Sequence, residues 1–172
     1  VLADRKIVGL VPKENLATGD VQYENRWFAG WPHTRVEEYR LMSGEDIPFG
    51  GLIFSMQGIG RFAIEICEDG WMGIRPGSFY ALAGAHILCN PSASWFVLGK
   101  HRIRKHMVEQ VSREDHCAYL YTSLMGCDAT RLIYDGSVFI ANNGAIVEEG
   151  RRFLFDEKIE IIDRIIDISA LD

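Results

Sequence analysis

The stretch RFAIEICED, residues 61–69, decides the fold. Its first six residues are mostly apolar and predict a short buried strand, and a second apolar run, residues 50–56, precedes it. Gln57-Gly58-Ile59-Gly60 joins the two runs and is typical of a hairpin-like connection. Cys67 therefore follows directly on a strand, with two acidic residues after it. This organisation is typical of a strand that presents a nucleophile at a tight bend.

From its position alone, Cys67 has two interpretations. Apolar surroundings raise the pKa of a thiol, so Cys67 could be an unreactive cysteine at the end of a buried strand. The neighbouring Glu68 and Asp69 also disfavour a thiolate unless a cation lies nearby. Lys13 is the candidate cation, because a β-rich run over residues 6–11 ends at Pro12 and leaves Lys13 at a strand end. Taken by itself, Lys13 is equally consistent with a solvated surface lysine.

Strands alternate with helices in the rest of the chain. Residues 76–83 predict a helix closed by Gly84, and the spacing of Ile103, Met107 and Val111 predicts an amphipathic helix over 100–114. Residues 13–31 are typical of an ordered loop. Further strands are predicted at residues 86–90, 118–123, 137–141, 145–149 and 160–168. This order predicts an α/β or α+β layered domain.

The composition of the chain argues against two classes of partner, nucleic acids and membranes. The 172 residues carry a net charge of −6 with both signs mixed, and 48% of them are hydrophobic. Such a chain can bury a core but offers no basic face, so we expect no nucleic-acid partner. The longest apolar runs are far shorter than the roughly 20 residues of a membrane helix. We therefore expect no membrane association and a cytoplasmic location.

The four cysteines include no Cys-x-x-Cys pair, and the five histidines stand at no metal-ligand spacing from them. No metal site is therefore predicted. Apart from Cys67, we expect the cysteines to pack as small apolar residues. Those residues are Cys89, Cys117 and Cys127.

An ordered series of motifs resembles a known superfamily. The motifs are VPKENL (11–16), YENRWF (23–28), IEICED (64–69), ALAGAHILCNPSAS (81–94) with Gly99-Lys100, and YDGS (134–137). Together they resemble the nitrilase, or carbon–nitrogen hydrolase, superfamily, and within it the glutaminase domains of glutamine-dependent NAD synthetases. The resemblance covers roughly residues 6–155. It implies part of a four-layer α-β-β-α sandwich.

The resemblance also assigns roles to five residues. It implies that Cys67 is the nucleophile and Lys13 the catalytic lysine of a Glu-Lys-Cys triad, with Glu24 supporting the lysine. It implies that the Glu68 N–H is an oxyanion donor and the Glu68 side chain a contact for the substrate's amino group. Ser94 lies where the synthetase subfamily binds glutamine.

Some of the family pattern has no counterpart in this sequence. The triad's Glu lies before the lysine motif in relatives, and the synthetase domain, which uses ATP and magnesium, lies after the position of Asp172. The resemblance thus implies that residues 1–172 are a partial glutaminase domain that lacks its general base and does not turn over glutamine by itself. Residues 17–19 also depart from the usual pattern and put one substrate contact in doubt. Glu45 or Glu65 could supply the base instead, since strand alternation would put Glu65 and Cys67 on one face.

The resemblance implies a function for the full-length enzyme, which would hydrolyse glutamine to supply ammonia for ATP-dependent NAD synthesis from nicotinate adenine dinucleotide. Its partners would be glutamine, a synthetase domain of the same chain and further copies of itself in a homo-oligomer. This domain itself would need no cofactor. Two alternatives remain: a stand-alone amidase acting on another small amide, and a catalytically silent nitrilase-fold module used for assembly.

Overall fold

Twelve strands and two α-helices form the fold in the computed structural model, which describes residues 1–19, 21–33, 35–128, 131–154 and 159–171. The strands are β1 (Leu2–Ala3), β2 (Lys6–Ile7), β3 (Val36–Arg40), β4 (Asp46–Gly50), β5 (Ile53–Met56), β6 (Gly60–Ile64), β7 (Ile87–Ser92), β8 (Ala118–Ser123), β9 (Met125–Cys127), β10 (Ile133–Asp135), β11 (Val138–Asn142) and β12 (Ala145–Glu149). The helices are α1 (Pro76–Leu82) and α2 (Lys100–Glu114).

One six-stranded sheet, in the order β12-β11-β8-β7-β6-β5, organises the molecule. Its three central strands β6, β7 and β8 are parallel, and the remaining neighbours pair antiparallel. The connections β6-α1-β7 and β7-α2-β8 step in the same direction, so right-handed crossovers bring both helices to one face of the sheet. Tyr80 of α1 and Val108 of α2 accordingly share one core cluster with Leu88 and Phe139 of the sheet.

The hairpin β11-β12 shows how local sequence sets the register. Asn142 pairs with Ala145, which leaves Asn143 and Gly144 as a two-residue turn. Both have positive φ, 47° and 87°. Asn and Gly are the residues that tolerate this conformation, and such turns match the twist of the paired strands. The turn predicted from the sequence is confirmed.

Much of the predicted order is confirmed. Helix α2 and strands β8 and β12 have the predicted bounds, α1 ends one residue earlier than predicted, and β5 pairs with β6 as a hairpin. The mixed α/β class is confirmed. The described residues show helices on one face of the main sheet, and the four-layer sandwich stays a prediction at this point.

The prediction of a strand over residues 160–168 is wrong. In the described part of that segment, residues 159–167 have no regular structure and Ile168–Leu171 form a 3-10 helix. The alternation of isoleucines is β-like, but a strand also needs a neighbour to accept its hydrogen bonds. Here Glu160 instead accepts from the backbone N–H of Arg151 at 3.0 Å, and Ile165 is 97% exposed.

Other expectations need smaller corrections. The hairpins β3-β4 and β9-β10 were not predicted. The run 6–11 forms a strand only at Lys6–Ile7, which pairs with β1, and Leu10 forms a single parallel bridge with Phe49. Cys117 is buried and Cys89 half-buried, but Cys127 lies exposed on β9, so its packing as a core residue is a wrong prediction.

Candidate functional site

A sharp change of direction presents Cys67. Strand β6 ends at Ile64, and the 3-10 helix Cys67–Trp71 begins three residues later. Cys67 itself has a φ of 52°, in the left-handed region that residues other than glycine seldom occupy. Such backbone strain persists only where the surrounding structure holds it, and it is frequent at functional sites. The bend turns the Cys67 residue out of the strand direction, as the sequence predicted.

Asp69 holds this bend together and ties it to the lysine loop. One carboxylate oxygen accepts from the Ile66 backbone N–H at 2.9 Å. The other accepts from the backbone N–H and side-chain amide of Asn15, at 2.7 and 2.9 Å. Asp69 is almost wholly buried, so these three charge-assisted hydrogen bonds replace its contacts with water. They link the Cys67 bend to the loop that follows Lys13.

Lys13 and Glu24 lie together, as predicted. Their side chains form an ion pair, and the same Glu24 oxygen accepts from the Ala17 backbone N–H at 2.8 Å. The Lys13 carbonyl accepts from the Trp31 backbone N–H at 3.0 Å, which fixes the loop from its other side. These two side chains line a cavity of about 340 Å³ with mainly apolar neighbours. A direct contact between Lys13 and Cys67 stays a prediction.

Cys67 opens on a separate cavity of about 180 Å³. This cavity brings together three of the predicted site residues, Cys67, Glu68 and Ser94. Gln22 closes one side, where its side-chain amide donates to the Ala93 carbonyl at 3.1 Å. The described lining residues are Gln22, Cys67, Glu68, Trp71, Ser94, Trp95 and Lys100.

Lys100 is a cavity residue that the sequence reasoning missed. Its ammonium nitrogen lies 3.6 Å from the centre of the Trp95 ring, within the range of a cation–π contact. Burial lowers the pKa of Lys100, and the charge of Arg104 adds to this, while the charges of Cys67 and Glu68 oppose it. The cavity thus has a lysine as well as the Glu68 carboxylate on its walls. The only sequence signal was Gly99-Lys100, where Gly99 has a positive φ before α2.

The buried face of α2 also differs from the prediction. Ile103 is 56% exposed, whereas Arg104, on the next position of the helix, is fully buried. Arg104 forms an ion pair with Asp135, donating to its carboxylate at 2.7 and 2.8 Å, and bonds the carbonyls of Ser94 and Trp95. A charged residue therefore supports the wall of the Cys67 cavity from behind.

The two alternative bases lie elsewhere. Glu65 is buried and accepts from the Gly77 N–H at 2.9 Å and from the Tyr119 hydroxyl. Burial raises the pKa of Glu65, against the opposing effects of the Tyr119 hydrogen bond and the Arg75 charge. Cys67 is not on the strand, so the same-face argument for Glu65 does not hold. Glu45 is exposed beside the turn of the β3-β4 hairpin.

Metal ligands and membrane-spanning helices are both absent from the described residues. These residues contain no group of three or more His, Cys, Asp or Glu side chains able to hold a metal ion. None of their helices combines the length and the apolar character needed to cross a membrane.

A family model described as Carbon-nitrogen hydrolase matches residues 6–160. Among curated proteins, the glutamine-dependent NAD(+) synthetase of Mus musculus is 33% identical over 98% of this chain. The enzyme of the same name from Homo sapiens is 34% identical over 98%. The chain spans about a quarter of the length of these relatives, 24% and 25%.

Solved structures give the same picture. A glutamine-dependent NAD(+) synthetase from Cytophaga hutchinsonii superposes with a TM-score of 0.73 and 36% identity, over 83% of this chain and 22% of that one. A glutamine-dependent NAD+ synthetase from Acinetobacter baumannii, in complex with ADP, superposes with a TM-score of 0.67 over 90% of this chain and 28% of that one. At 22% identity, the second likeness is evidence for the fold alone.

Proposed function

This chain belongs to the carbon–nitrogen hydrolase family, and we propose that it hydrolyses the side-chain amide of glutamine within a longer NAD synthetase. The observation that carries this proposal is the strained bend at Cys67, which opens on a cavity with a cation and an anion on its walls. Residues that resemble a catalytic lysine segment are tied to that bend by Asp69.

The chemistry is that of a thiol nucleophile. The Cys67 thiol gives its proton to a general base, and the sulfur forms a bond with the amide carbon. The oxyanion that develops is stabilised by the Lys13 ammonium and the Glu68 N–H. The carbon–nitrogen bond then breaks, and the base returns the proton to the departing nitrogen, which leaves as ammonia. Water cleaves the thioester and yields glutamate, with the thiol restored.

The cavity charges fit an amino acid. Glutamine carries a carboxylate and an ammonium group at one end, and Lys100 and Glu68 offer the opposite charges. Ser94 adds a largely buried hydroxyl to the same cavity. Placing both charged ends would bring the side-chain amide towards Cys67 and favour glutamine over amides that lack the two charges. A stand-alone amidase for uncharged small amides would have no use for this pair.

The finer parts of the proposal concern the whole protein. The general base is a Glu outside residues 1–172, so these residues alone are expected to show no turnover. The ammonia passes to a synthetase domain that uses ATP and magnesium to amidate nicotinate adenine dinucleotide. The protein acts in the cytoplasm as a homo-oligomer. The names of the relatives, and the three quarters of their length that this chain does not span, support the synthetase domain.

A thiol-directed diazo-ketone analogue of glutamine tests the proposal on the full-length gene product. We expect one label per chain, located at Cys67 by peptide mass spectrometry, and protection by excess glutamine. Cys67→Ala should abolish the label and reduce ammonia release by at least about 10³-fold. Cys127→Ser is the matched control, because Cys127 is the exposed thiol of the described chain and lies outside the cavity.

Three results would contradict the proposal. If the analogue labels Cys127 alone, the reactivity of the thiols follows their exposure to solvent and not the Cys67 site. An unlabelled Cys67 with no ammonia release would favour the silent assembly module. Ammonia release from simple amides but not from glutamine would favour the stand-alone amidase.

A further inference from the structure

One wall of the Cys67 cavity is a loop that buried side chains hold in place. Ser94 and Trp95 follow strand β7 and both line the Cys67 cavity. The Ser94 backbone N–H donates to the Ser123 hydroxyl at 3.3 Å. Ser94 itself is only 4% exposed, so its hydroxyl direction is set by buried neighbours and not by solvent.

Arg104 is the buried neighbour that contacts this wall most extensively. Its Nη2 donates to the carbonyls of Ser94 and Trp95 at 3.0 and 2.9 Å, and its Nε donates to the Ser94 hydroxyl oxygen at 3.2 Å. On the opposite edge, Nη1 donates to both Asp135 oxygens and to the Ser137 hydroxyl. The planar guanidinium therefore connects a fixed anion to two consecutive residues of the wall.

The direction of the hydrogen bond to Ser94 has a chemical consequence. A guanidinium can only donate, so the Ser94 oxygen must act as the acceptor towards Arg104. The Ser94 hydroxyl can then donate its own proton to a second acceptor. An oxygen atom of a ligand bound in the cavity can be that acceptor. Tyr121, whose buried hydroxyl interacts with Ser92, Ser94 and Ser123, is the protein group that competes for that proton.

We propose that Arg104 is a positioning residue that fixes the Ser94–Trp95 wall and sets the Ser94 hydroxyl as a hydrogen-bond donor to the substrate's carboxylate. This inference rests on the proposed glutamine hydrolysis and extends it to a residue that contacts no substrate. Arg104 holds the wall by hydrogen bonds and does not line the cavity itself, so we expect it to govern substrate affinity and to leave the reactivity of the Cys67 thiol unchanged.

Arg104→Lys in the full-length protein is the test, because it keeps the charge near Asp135 but cannot contact both sides. We expect KM for glutamine to rise about tenfold, the range of one lost hydrogen bond to a charged group. We expect kcat within about threefold of wild type, and an unchanged rate of Cys67 alkylation by iodoacetamide, which lacks the amino-acid groups. Wild-type ammonia release checks the proposed function separately.

Arg75→Lys is the matched control. Arg75 is also buried and bonds Asp115 and Ser78, but it does not line the Cys67 cavity. We expect a lower melting temperature with KM within about twofold of wild type. If Arg104→Lys raises KM no more than Arg75→Lys does, or alters the alkylation rate instead, the inference is wrong.

A double-mutant cycle separates positioning from general packing. Once Ser94→Ala has removed the hydroxyl, Arg104→Lys should raise KM by no more than about threefold further, since coupled residues are non-additive. Effects that simply multiply would overturn the inference. Should Arg104→Lys fail to fold, Asp135→Asn weakens the same anchor and should raise KM in the same direction, and an unchanged KM there would equally overturn it.

Discussion

Cys67 combines a reactive side chain with an unfavourable backbone conformation. Its φ of 52° places Cβ close to the following carbonyl, at a cost of about 1–2 kcal/mol for an L-residue. The strain is held by the Asp69 carboxylate, which accepts from the N–H that precedes Cys67. A cysteine kept at a position that suits glycine indicates that the thiol, and not the backbone, is the reason for its presence.

Replacement of Cys67 by glycine should therefore stabilise the fold relative to replacement by alanine. We expect the free energy of unfolding of Cys67→Gly to exceed that of Cys67→Ala by about 1 kcal/mol, because glycine relieves the strain. Urea titration followed by circular dichroism measures the difference.

The same pair of substitutions at Cys117 is the control. Cys117 is fully buried and is absent from the positive-φ residues of the described chain. There we expect the opposite sign, with glycine less stable than alanine by about 1 kcal/mol. If the glycine variant is less stable than the alanine variant at both positions, the conformation of Cys67 stores no strain.

At the scale of elements, sequence patterns were sufficient where local rules decide the structure. The spacing of α2, the Asn143-Gly144 turn and the strand that leads to Cys67 were all predicted, because helix periodicity and turn preferences are local. The strand prediction for residues 160–168 was wrong because a strand also needs a neighbouring strand to pair with, and that neighbour lies elsewhere in the chain. The burial of Arg104 was missed because its partner, Asp135, lies 31 residues further along the chain.

In the candidate site, too, the sequence predicted some of the residues and missed the contacts between distant parts of the chain. Cys67, Glu68 and Ser94 were predicted and line one cavity, whereas Lys100 joined them only in three dimensions. The ion pair of Lys13 with Glu24 agrees with the roles implied by resemblance. The link between the lysine loop and the Cys67 bend could not be predicted, since it joins Asn15 to Asp69 across 54 residues.

Asp69→Asn tests this link between two elements. An amide has one oxygen where the carboxylate has two, so either the Ile66 N–H or the pair of Asn15 donors must face an NH₂ group. We expect the free energy of unfolding to fall by about 2 kcal/mol. Amide hydrogen exchange at Asn15 should accelerate, and labelling of Cys67 by the glutamine analogue should slow.

Asp167→Asn is the control for that substitution. The Asp167 carboxylate is exposed and, among the described residues, accepts from the backbone N–H and hydroxyl of Ser169, two residues away. We expect a change in stability within about 0.5 kcal/mol and no change in labelling. If Asp69→Asn behaves in the same way, the carboxylate does not connect the two elements.

At the scale of the whole molecule, two buried carboxylates stabilise parts of the chain that are far apart in sequence. Asp69 joins the lysine loop to the bend, and Asp135 joins α2 to the strand β10 on which it lies. Burial alone would raise the pKa of Asp135, but hydrogen bonds from Arg104 and its charge, with help from Arg152 and Ser137, lower it below the usual value. The network is therefore sensitive to acid.

The sign of that sensitivity follows from the lowered pKa. The unfolded chain binds a proton on Asp135 more readily than the folded one does, so stability rises with pH in this range. The contribution is complete above the ordinary value of 3.8 and is lost as the pH falls through the lower folded value. Protonation would leave the Arg104 guanidinium buried with a weakened partner.

Asp135→Asn should consequently lower the free energy of unfolding by about 3 kcal/mol at pH 7, because it leaves a buried charge uncompensated. The deficit relative to wild type should stay constant down to the ordinary pKa of 3.8 and shrink as the pH falls further through the lower folded value, since wild type loses the same contribution there. Asp46→Asn breaks the exposed pair with Arg40 and should change stability by less than about 1 kcal/mol throughout. A deficit of Asp135→Asn that stays constant with pH would mean that packing, and not the charge of Asp135, holds α2 and the cavity wall in place.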